Sequence, residues 1–334
     1  SLDVQYGSIQ KLFAEDNSLI VFQEEKVSSI PIDRDILYTA EGSPQLTASN
    51  AVFGDVITYA GNYGIGTNPE SFAHYAGRKY FVDQPKGAVL RLSRDGITEI
   101  SNYGMRTFFI QNLPDNADIY GMWDIAKQQY VLHWYKFEND GFIINIDKET
   151  ISYDESAKGW VSFYTYDPKF GGSLDGKFYT FLNGRLYEHY SSNNFYNNNI
   201  NATITLILNQ NPSVNKSFHS INYEGAGTWR AVSINSDTDS AITVNAFNNA
   251  NQNDENTIFV NNFIKRDNKY HANLTNFSTP KENEVIFGGD ISGVKGYYLS
   301  VEMQNLTDKD DPFNANTFGE ELFSVSTNYN INTY

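Results

Sequence analysis

The chain contains no cysteine, which removes disulfides and thiolate metal sites at once and fits assembly in a reducing compartment. No apolar run approaches the ~20 residues that a membrane-spanning helix needs, and no signal peptide is visible at the start. Long Ala/Leu/Glu/Lys runs that would build extended helices are missing, and only three Met occur. Positive charge is scarce: 24 Lys and Arg stand against 40 Asp and Glu, a formal net charge of −16. That balance argues against an ordinary nucleic-acid binder, which neutralises phosphates with a basic patch. It fits a soluble surface or, more sharply, a wall that repels nucleic acid so that it slides past without sticking.

What is present points to strands. Of 334 residues, 40% are apolar and 15% aromatic, with 23 Phe and 23 Tyr. These rings pack well on pleated surfaces, and the chain is long enough for two domains. The first part reads as a series of β-hairpins. Ser18–Phe22 pairs with Val27–Ile32. Lys79–Val82 pairs with Ala88–Ser93, followed by the turn Arg94-Asp95-Gly96 and a strand Ile97–Ile100. Gln129–Tyr135 pairs with Phe142–Ile146 through Asp140-Gly141, and Lys177–Leu182 with Arg185–Tyr190 through Asn183-Gly184. Asn-Gly and Asp-Gly supply the positive φ angles of type I′ turns.

The strands near Tyr80, Tyr130 and Phe178 start about 50 residues apart, the period of a β-propeller blade. The first hairpin lies further upstream and needs an insertion. Four blades is the minimum for a propeller. The chain begins at Ser1 rather than Met, which fits a fragment or processed product with further blades upstream. Two short helices are expected, one at Asn68-Pro69-Glu70 and one carrying Met105, Phe108, Phe109 and Leu113 on one face, ended by Pro114.

An Asn-rich tract at 191–201 reads as a linker. Beyond it, Thr203–Leu208, Ser217–Tyr223, Thr228–Ile234, Ala241–Phe247, Thr257–Phe263, Tyr297–Met303 and Leu322–Ser326 are strand-like, at the spacing of a β-sandwich. A second Asn-rich loop, Asn248–Asn256, divides this part. The expected architecture is therefore all-β: propeller blades, or part of a propeller, over 1–190; a linker over 191–201; and a β-sandwich-like domain over 202–334.

No constellation for catalysis emerges. Gly64-Ile65-Gly66 lacks the third glycine of a dinucleotide fingerprint, because position 69 is Pro69. Ser93-Arg94-Asp95-Gly96 and Ser173-Leu174-Asp175-Gly176 resemble shortened Asp-box turns, which are structural. A sialidase would also need an Arg cluster to clamp a carboxylate, and Arg is scattered here. His74, His133, His189, His219 and His271 lack zinc-motif spacing. No Gly-x-Ser-x-Gly elbow exists. Asp237-Thr238-Asp239 and Asp308-Lys309-Asp310-Asp311 do not continue as EF-hand loops. The Asn-x-Ser/Thr triplets at Asn201, Asn273 and Asn305 are what a chain rich in these residues makes by chance. Catalytic, cofactor-binding and metal-ligating residues are all expected to be absent.

Several stretches together carry a family resemblance: Tyr63-Gly64-Ile65-Gly66-Thr67-Asn68-Pro69-Glu70-Ser71-Phe72 running into Gly77-Arg78-Lys79-Tyr80-Phe81-Val82-Asp83; Leu90-Arg91-Leu92-Ser93-Arg94-Asp95-Gly96-Ile97; Ser101-Asn102-Tyr103-Gly104-Met105; Lys158-Gly159-Trp160-Val161-Ser162-Phe163-Tyr164; Phe181-Leu182-Asn183-Gly184-Arg185-Leu186-Tyr187-Glu188-His189; Asn211-Pro212-Ser213-Val214-Asn215-Lys216-Ser217-Phe218; and Glu321-Leu322-Phe323-Ser324-Val325. In this order they resemble the tail "stabilization" or muzzle proteins of crAss-like short-tailed bacteriophages, in their C-terminal part.

The resemblance implies a non-enzymatic virion protein in the tail nozzle, made in the host cytoplasm. It implies a ring, typically of six copies, that docks other tail and portal-complex proteins. Packaged DNA would be retained, and later pass through the channel without sequence recognition. No cofactor and no membrane span are implied. The alternative from another class is a carbohydrate-binding or carbohydrate-cleaving β-propeller that recognises the host surface, since Phe and Tyr faces also stack on sugars.

Overall fold

Residues Lys79 to Asp83 are buried without a break in one strand. A strand buried on both faces must lie between two other layers, and this one does. The computed structural model describes residues 2–38, 44–139, 144–191, 194–196, 198–199, 202–226, 229–237, 242–243, 259–260, 263–276, 291–305 and 321–332. The chain divides into two compact units, Ser1–Ser191 and Ser192–Tyr334. It is all-β, and among the described residues the single α-helix is α1 (Arg106–Asn112).

The first unit is built from four antiparallel sheets, each a meander in chain order. Sheet 1 holds β1 (Ile9–Glu15), β2 (Ser18–Gln23), β3 (Val27–Tyr38) and β4 (Pro44–Phe53), with β5 (Ile57–Thr58) also on β3. Sheet 2 holds β6 (Ala73–Tyr75), β7 (Arg78–Asp83), β8 (Ala88–Ser93) and β9 (Gly96–Glu99). Sheet 3 holds β10 (Asp118–Asp124), β11 (Gln129–Asn139), β12 (Ile144–Asp154) and β13 (Gly159–Tyr164). Sheet 4 holds only β14 (Phe170–Leu174), β15 (Lys177–Leu182) and β16 (Arg185–Glu188). Among the described residues no sheet closes into a barrel.

Packing follows the strand period of two. Alternate residues of β8 go to opposite sides. Ala88, Leu90 and Leu92 join Ile20, Phe22 and Phe81 in the core shared with sheet 1. Val89, with Tyr80 and Val82 of β7, joins Tyr130, Leu132 and Ile151 in the core shared with sheet 3. Phe109 of α1 is buried in that second core, with Leu113 capping the helix. Sheets 3 and 4 meet through polar bonds. Ser173 Oγ donates to the Trp123 carbonyl at 2.5 Å, and Tyr190 Oη donates to Asp124 at 2.6 Å.

Three of the four expected hairpins pair as expected. In the third, β11 and β12 do pair, but both run longer than expected, so residues 129–135 lie opposite 148–154 rather than opposite 142–146; residues 140–143, with the turn Asp140-Gly141, lie outside the described residues. The expected insertion between the first and second hairpins contains the β3–β4 pair. Asn183 (φ 51°) and Gly184 (φ 74°) take the type I′ conformation, and so do Asp175 (φ 51°) and Gly176 (φ 73°) between β14 and β15. Ser173–Gly176 is therefore the end of a hairpin. Of the two expected helices, the one after Asn68 is a single 3-10 turn, Pro69–Ser71.

In the second unit, β17 (Asn194–Phe195) pairs with β18 (Asn198–Asn199). One sheet runs β19 (Thr203–Leu208), β28 (Leu299–Asn305), β21 (Trp229–Ser236), β22 (Ile242–Thr243). The other centres on β20 (Lys216–Gly225), flanked on one side by β29 (Leu322–Ile331) and on the other by β25 (Lys269–Asn276) and β27 (Val294–Gly296). Short strands β23 (Phe259–Val260), β24 (Ile264–Arg266) and β26 (Ile291–Ser292) pair with β25. One core joins both sheets. Leu299, Val301 and Met303 alternate inward from β28, beside Trp229, Ala231 and Ile234 of β21. They meet Phe218, Ile221 and Tyr223 of β20.

Candidate functional site

One concavity of the first unit is a cavity of about 750 Å³. Its walls are the first strands of all four sheets, β1, β6, β10 and β14, with the loop residues beside them. Four meanders thus present the same member of each sheet to one space. The lining is mainly aromatic and glycine: Phe13 from β1, Tyr75 from β6, Trp123 from β10 and Gly171-Gly172 from β14.

The rings are largely committed to one another. Tyr75 stacks on Trp123 with centroids 4.6 Å apart and planes within 11°. Phe13 contacts Phe72 at 5.4 Å and His74 at 4.9 Å. The ammonium of Lys11 sits 5.2 Å over Phe72, and that of Lys79 5.4 Å over Phe13. Packing of the His74 ring lowers its pKa, although part of the ring faces solvent, and the positive charges of Lys79 and Lys11 lower it further. The imidazole is therefore neutral at physiological pH.

Glycine is required where these strands converge. A Cβ on Gly121 of β10 would lie 1.8 Å from the carbonyl oxygen of Ser71, and one on Gly171 of β14 would lie 2.5 Å from Met122 Sδ. Beyond the cavity, sheet 4 turns an apolar row to solvent. Phe170, Phe181 and Leu186 are direct cross-strand neighbours and are 55%, 40% and 56% exposed.

A second recess, about 670 Å³, lies between sheets 1 and 2. Arg78, Lys79, Arg91 and Arg94 line it, with Glu15 and Asp95. Most of that positive charge is already matched. Lys79 pairs with Glu15, while Arg91 reaches Glu155 at 2.8 Å and Arg78 lies 3.8 Å from the same carboxylate. The recess is an ion-pair network joining sheets 1, 2 and 3.

The residues singled out by sequence are dispersed. The Gly64–Gly66 turn is pinned by the buried Asp83, which accepts from Gly64 N at 3.0 Å and from Lys86 at 2.7 Å. Burial raises the Asp83 pKa, against the opposing effect of those bonds. A Cβ on Gly64 would meet the Glu24 carbonyl oxygen at 2.1 Å, so this Gly-x-Gly serves packing. His133 and His189 are buried within the first unit, His133 bonded to Thr150 and His189 to Thr180. His271 bonds to Asn222 in the second unit. Asp237 accepts from the Tyr297 backbone N–H. Thr238-Asp239, Asp308–Asp311 and Asn201 lie outside the described residues. Among the described residues no group of three or more His, Asp or Glu is placed to hold a metal ion, and no helix is long and apolar enough to cross a membrane.

Sequence reasoning missed β1, β6, β10 and β14, the strands of the cavity wall. For β10 and β14 the signal is a close-approach glycine in each, Gly121 and Gly171, rather than any run of strand-forming residues.

Compared with known protein families, residues 1–184 match the family described as Crassvirus muzzle protein. Residues 190–276 match the family described as Crassvirus muzzle protein C-terminal domain. No curated protein matches the chain.

Proposed function

The chain belongs to the Crassvirus muzzle protein family, and from that premise we propose that it is an architectural component of a phage tail. In this reading it forms the distal channel that retains the genome, releases it on infection and docks other tail proteins. The observation that carries the proposal is the family match across both units. The fold supports it: four successive meander sheets whose first strands surround one space are what a four-bladed propeller, or part of a larger one, is made of. The shared core between the two sheets of the second unit supports a sandwich-like domain over 202–334, joined through the Asn-rich stretch 191–201.

The single-chain cavity, about 750 Å³, has the size of a small-ligand pocket and does not pass a DNA duplex. The channel is therefore a lumen between several copies in a ring, which we take to be six. A net charge of −16 suits a wall along which DNA slides without neutralisation of its phosphates. The protein is expected in the host cytoplasm during assembly and in the virion tail afterwards.

The alternative, carbohydrate recognition, draws on the aromatic lining of the cavity. Tyr75 on Trp123, and Phe13 against Phe72 and His74, already occupy much of that ring surface with each other, which favours the structural reading. Imaging of purified particles tests it. A ring of copies at the distal tail, with a channel of duplex width, is expected. Absence of the protein from purified virions refutes the proposal. A specific glycan-array signal, lost when Tyr75 and His74 are both replaced by Ala, supports the alternative.

A further inference from the structure

Proteins normally blunt the free edges of their sheets with short strands, Lys or Pro, because an open edge templates pairing with another chain. Parts of the second unit follow this rule. The short strand β24 is only Ile264-Lys265-Arg266. Two other edges do not. β29 runs ten residues, Leu322–Ile331, with neither a charge nor a proline, and among the described residues it pairs only with β20. β19 runs six residues, Thr203–Leu208, again with no charge and no proline, and among the described residues it pairs only with β28.

We propose that copies of this chain join by strand addition, the free edge of β29 in one copy pairing with the free edge of β19 in the next. Three observations select a second copy as the occupant. The two sheets of one unit each end in such an edge, so a head-to-tail contact uses both once per copy. That geometry builds rings or filaments. The longer strand covers the shorter completely, since six residues span about 20 Å. Each chain carries a net charge of −16, so copies repel one another, and these edges are places where close approach adds no like-charge contact. Ile204 and Ile207 of β19 are 40% and 68% exposed, and an added strand would cover part of that apolar surface. The inference deepens the reading of the chain as a self-assembling tail component and rests on it.

The test uses the pattern of the backbone. Successive N–H groups of an edge strand point alternately to its partner and to the free side. Proline at the free-side position removes the edge donor and leaves the existing ladder intact. Thr327→Pro and Asn328→Pro in β29, and Thr205→Pro and Leu206→Pro in β19, therefore form two pairs. In each pair, one variant is expected to keep the backbone ladder and stay folded; either change in β29 also removes one side-chain bond to β20, from Thr327 Oγ1 to the Ser220 carbonyl or from Asn328 Nδ2 to Ser220 Oγ. The full chain is followed by sedimentation over a concentration series and by amide hydrogen exchange. The wild type is expected to associate, with protection of 203–208 and 322–331 rising with concentration. The well-folded proline variant at either edge should weaken association at least tenfold. Association that neither variant weakens overturns strand addition while leaving the tail role standing. Protection independent of concentration overturns it too, because the edges are then covered within one chain. A chain that stays monomeric at every concentration counts against the proposal, whereas absence from virions counts against the tail reading itself.

Discussion

Lowering the pH should unfold the first unit through two buried histidines, and the effect can be sized. His133 is 1% and His189 5% exposed. The Thr150 hydroxyl donates to the Tyr166 carbonyl at 2.5 Å, so its oxygen accepts from His133 Nδ1 at 2.9 Å. That ring is thereby held neutral with its proton on Nδ1. His189 bonds to Thr180 and packs between Tyr166, at 4.9 Å, and Phe178, at 4.7 Å. Burial holds both imidazoles from their ordinary 6.5 down to about 4. The folded rings bind protons only near pH 4, whereas unfolded rings bind them near 6.5. Stability contributed by the neutral rings is therefore complete above 6.5 and is lost as pH falls toward 4. At about 1.4 kcal/mol per pH unit, the full loss is about 3 kcal/mol for each ring. Asp83, with its raised pKa, works in the opposite direction. Urea unfolding at several pH values between about 4.5 and 7 measures the slope. Tryptophan fluorescence in a Trp229→Phe background isolates Trp123, Trp134 and Trp160 of the first unit. Stability should fall with pH, and His133→Gln and His189→Gln should each remove about one proton from the slope. An unchanged slope in the double variant refutes the reasoning.

Three further outcomes are expected. Gly121→Ala places a methyl group against the Ser71 carbonyl and should cost about 3 kcal/mol in unfolding of the first unit; a loss under about 1 kcal/mol would mean the strands separate easily. Lys216 is fully buried, and its ammonium donates to the carbonyls of Asn211 and Val214 at 3.0 Å each. Lys216→Met leaves both acceptors unpaired and should destabilise the second unit by about 2 kcal/mol, read from Trp229 fluorescence. Asn183→Val puts a β-branched residue at φ 51° and should cost about 1–2 kcal/mol, while Asn183→Gly should be nearly neutral by the same melting curve.

The hairpins were legible because their turns and strands agree. Asn183-Gly184 closes a two-residue loop between aromatic strands, and the register runs outward from it. Leu19–Phe22 and Tyr80–Val82 are unbroken apolar runs, and both are buried except for the half-buried Leu19. Where neither the turn nor an apolar run marks a strand, the strand is lost. Asp267 (φ 48°) and Asn268 (φ 64°) make the same kind of turn without glycine, so β25, with its polar Lys269-Tyr270-His271, gave no signal despite burying Ala272 and Leu274. Proline and an acid after Asn68 signal the start of a helix, but no amphipathic run follows, and only one 3-10 turn forms.

The cavity wall was illegible for a different reason, which lies in what a wall requires. Strand propensity measures how well a side chain fits a pleated, half-buried surface. A strand at the convergence of several sheets meets its neighbours at distances that leave no room for a Cβ. β10 approaches the Ser71 carbonyl at Gly121, and β14 approaches Met122 at Gly171. Such positions exclude the β-branched and aromatic residues that mark a strand and select glycine, which weakens an isolated one. Recognition therefore falls on the middle strands, β7, β11 and β15, whose aromatic and apolar runs are flanked by a strand on each side. The innermost strands become visible only when the spacing of those middle strands is asked to close around something. On this argument, the most informative positions in a repeat of meanders are the glycines that precede each strong hairpin, because they mark where one sheet touches the next.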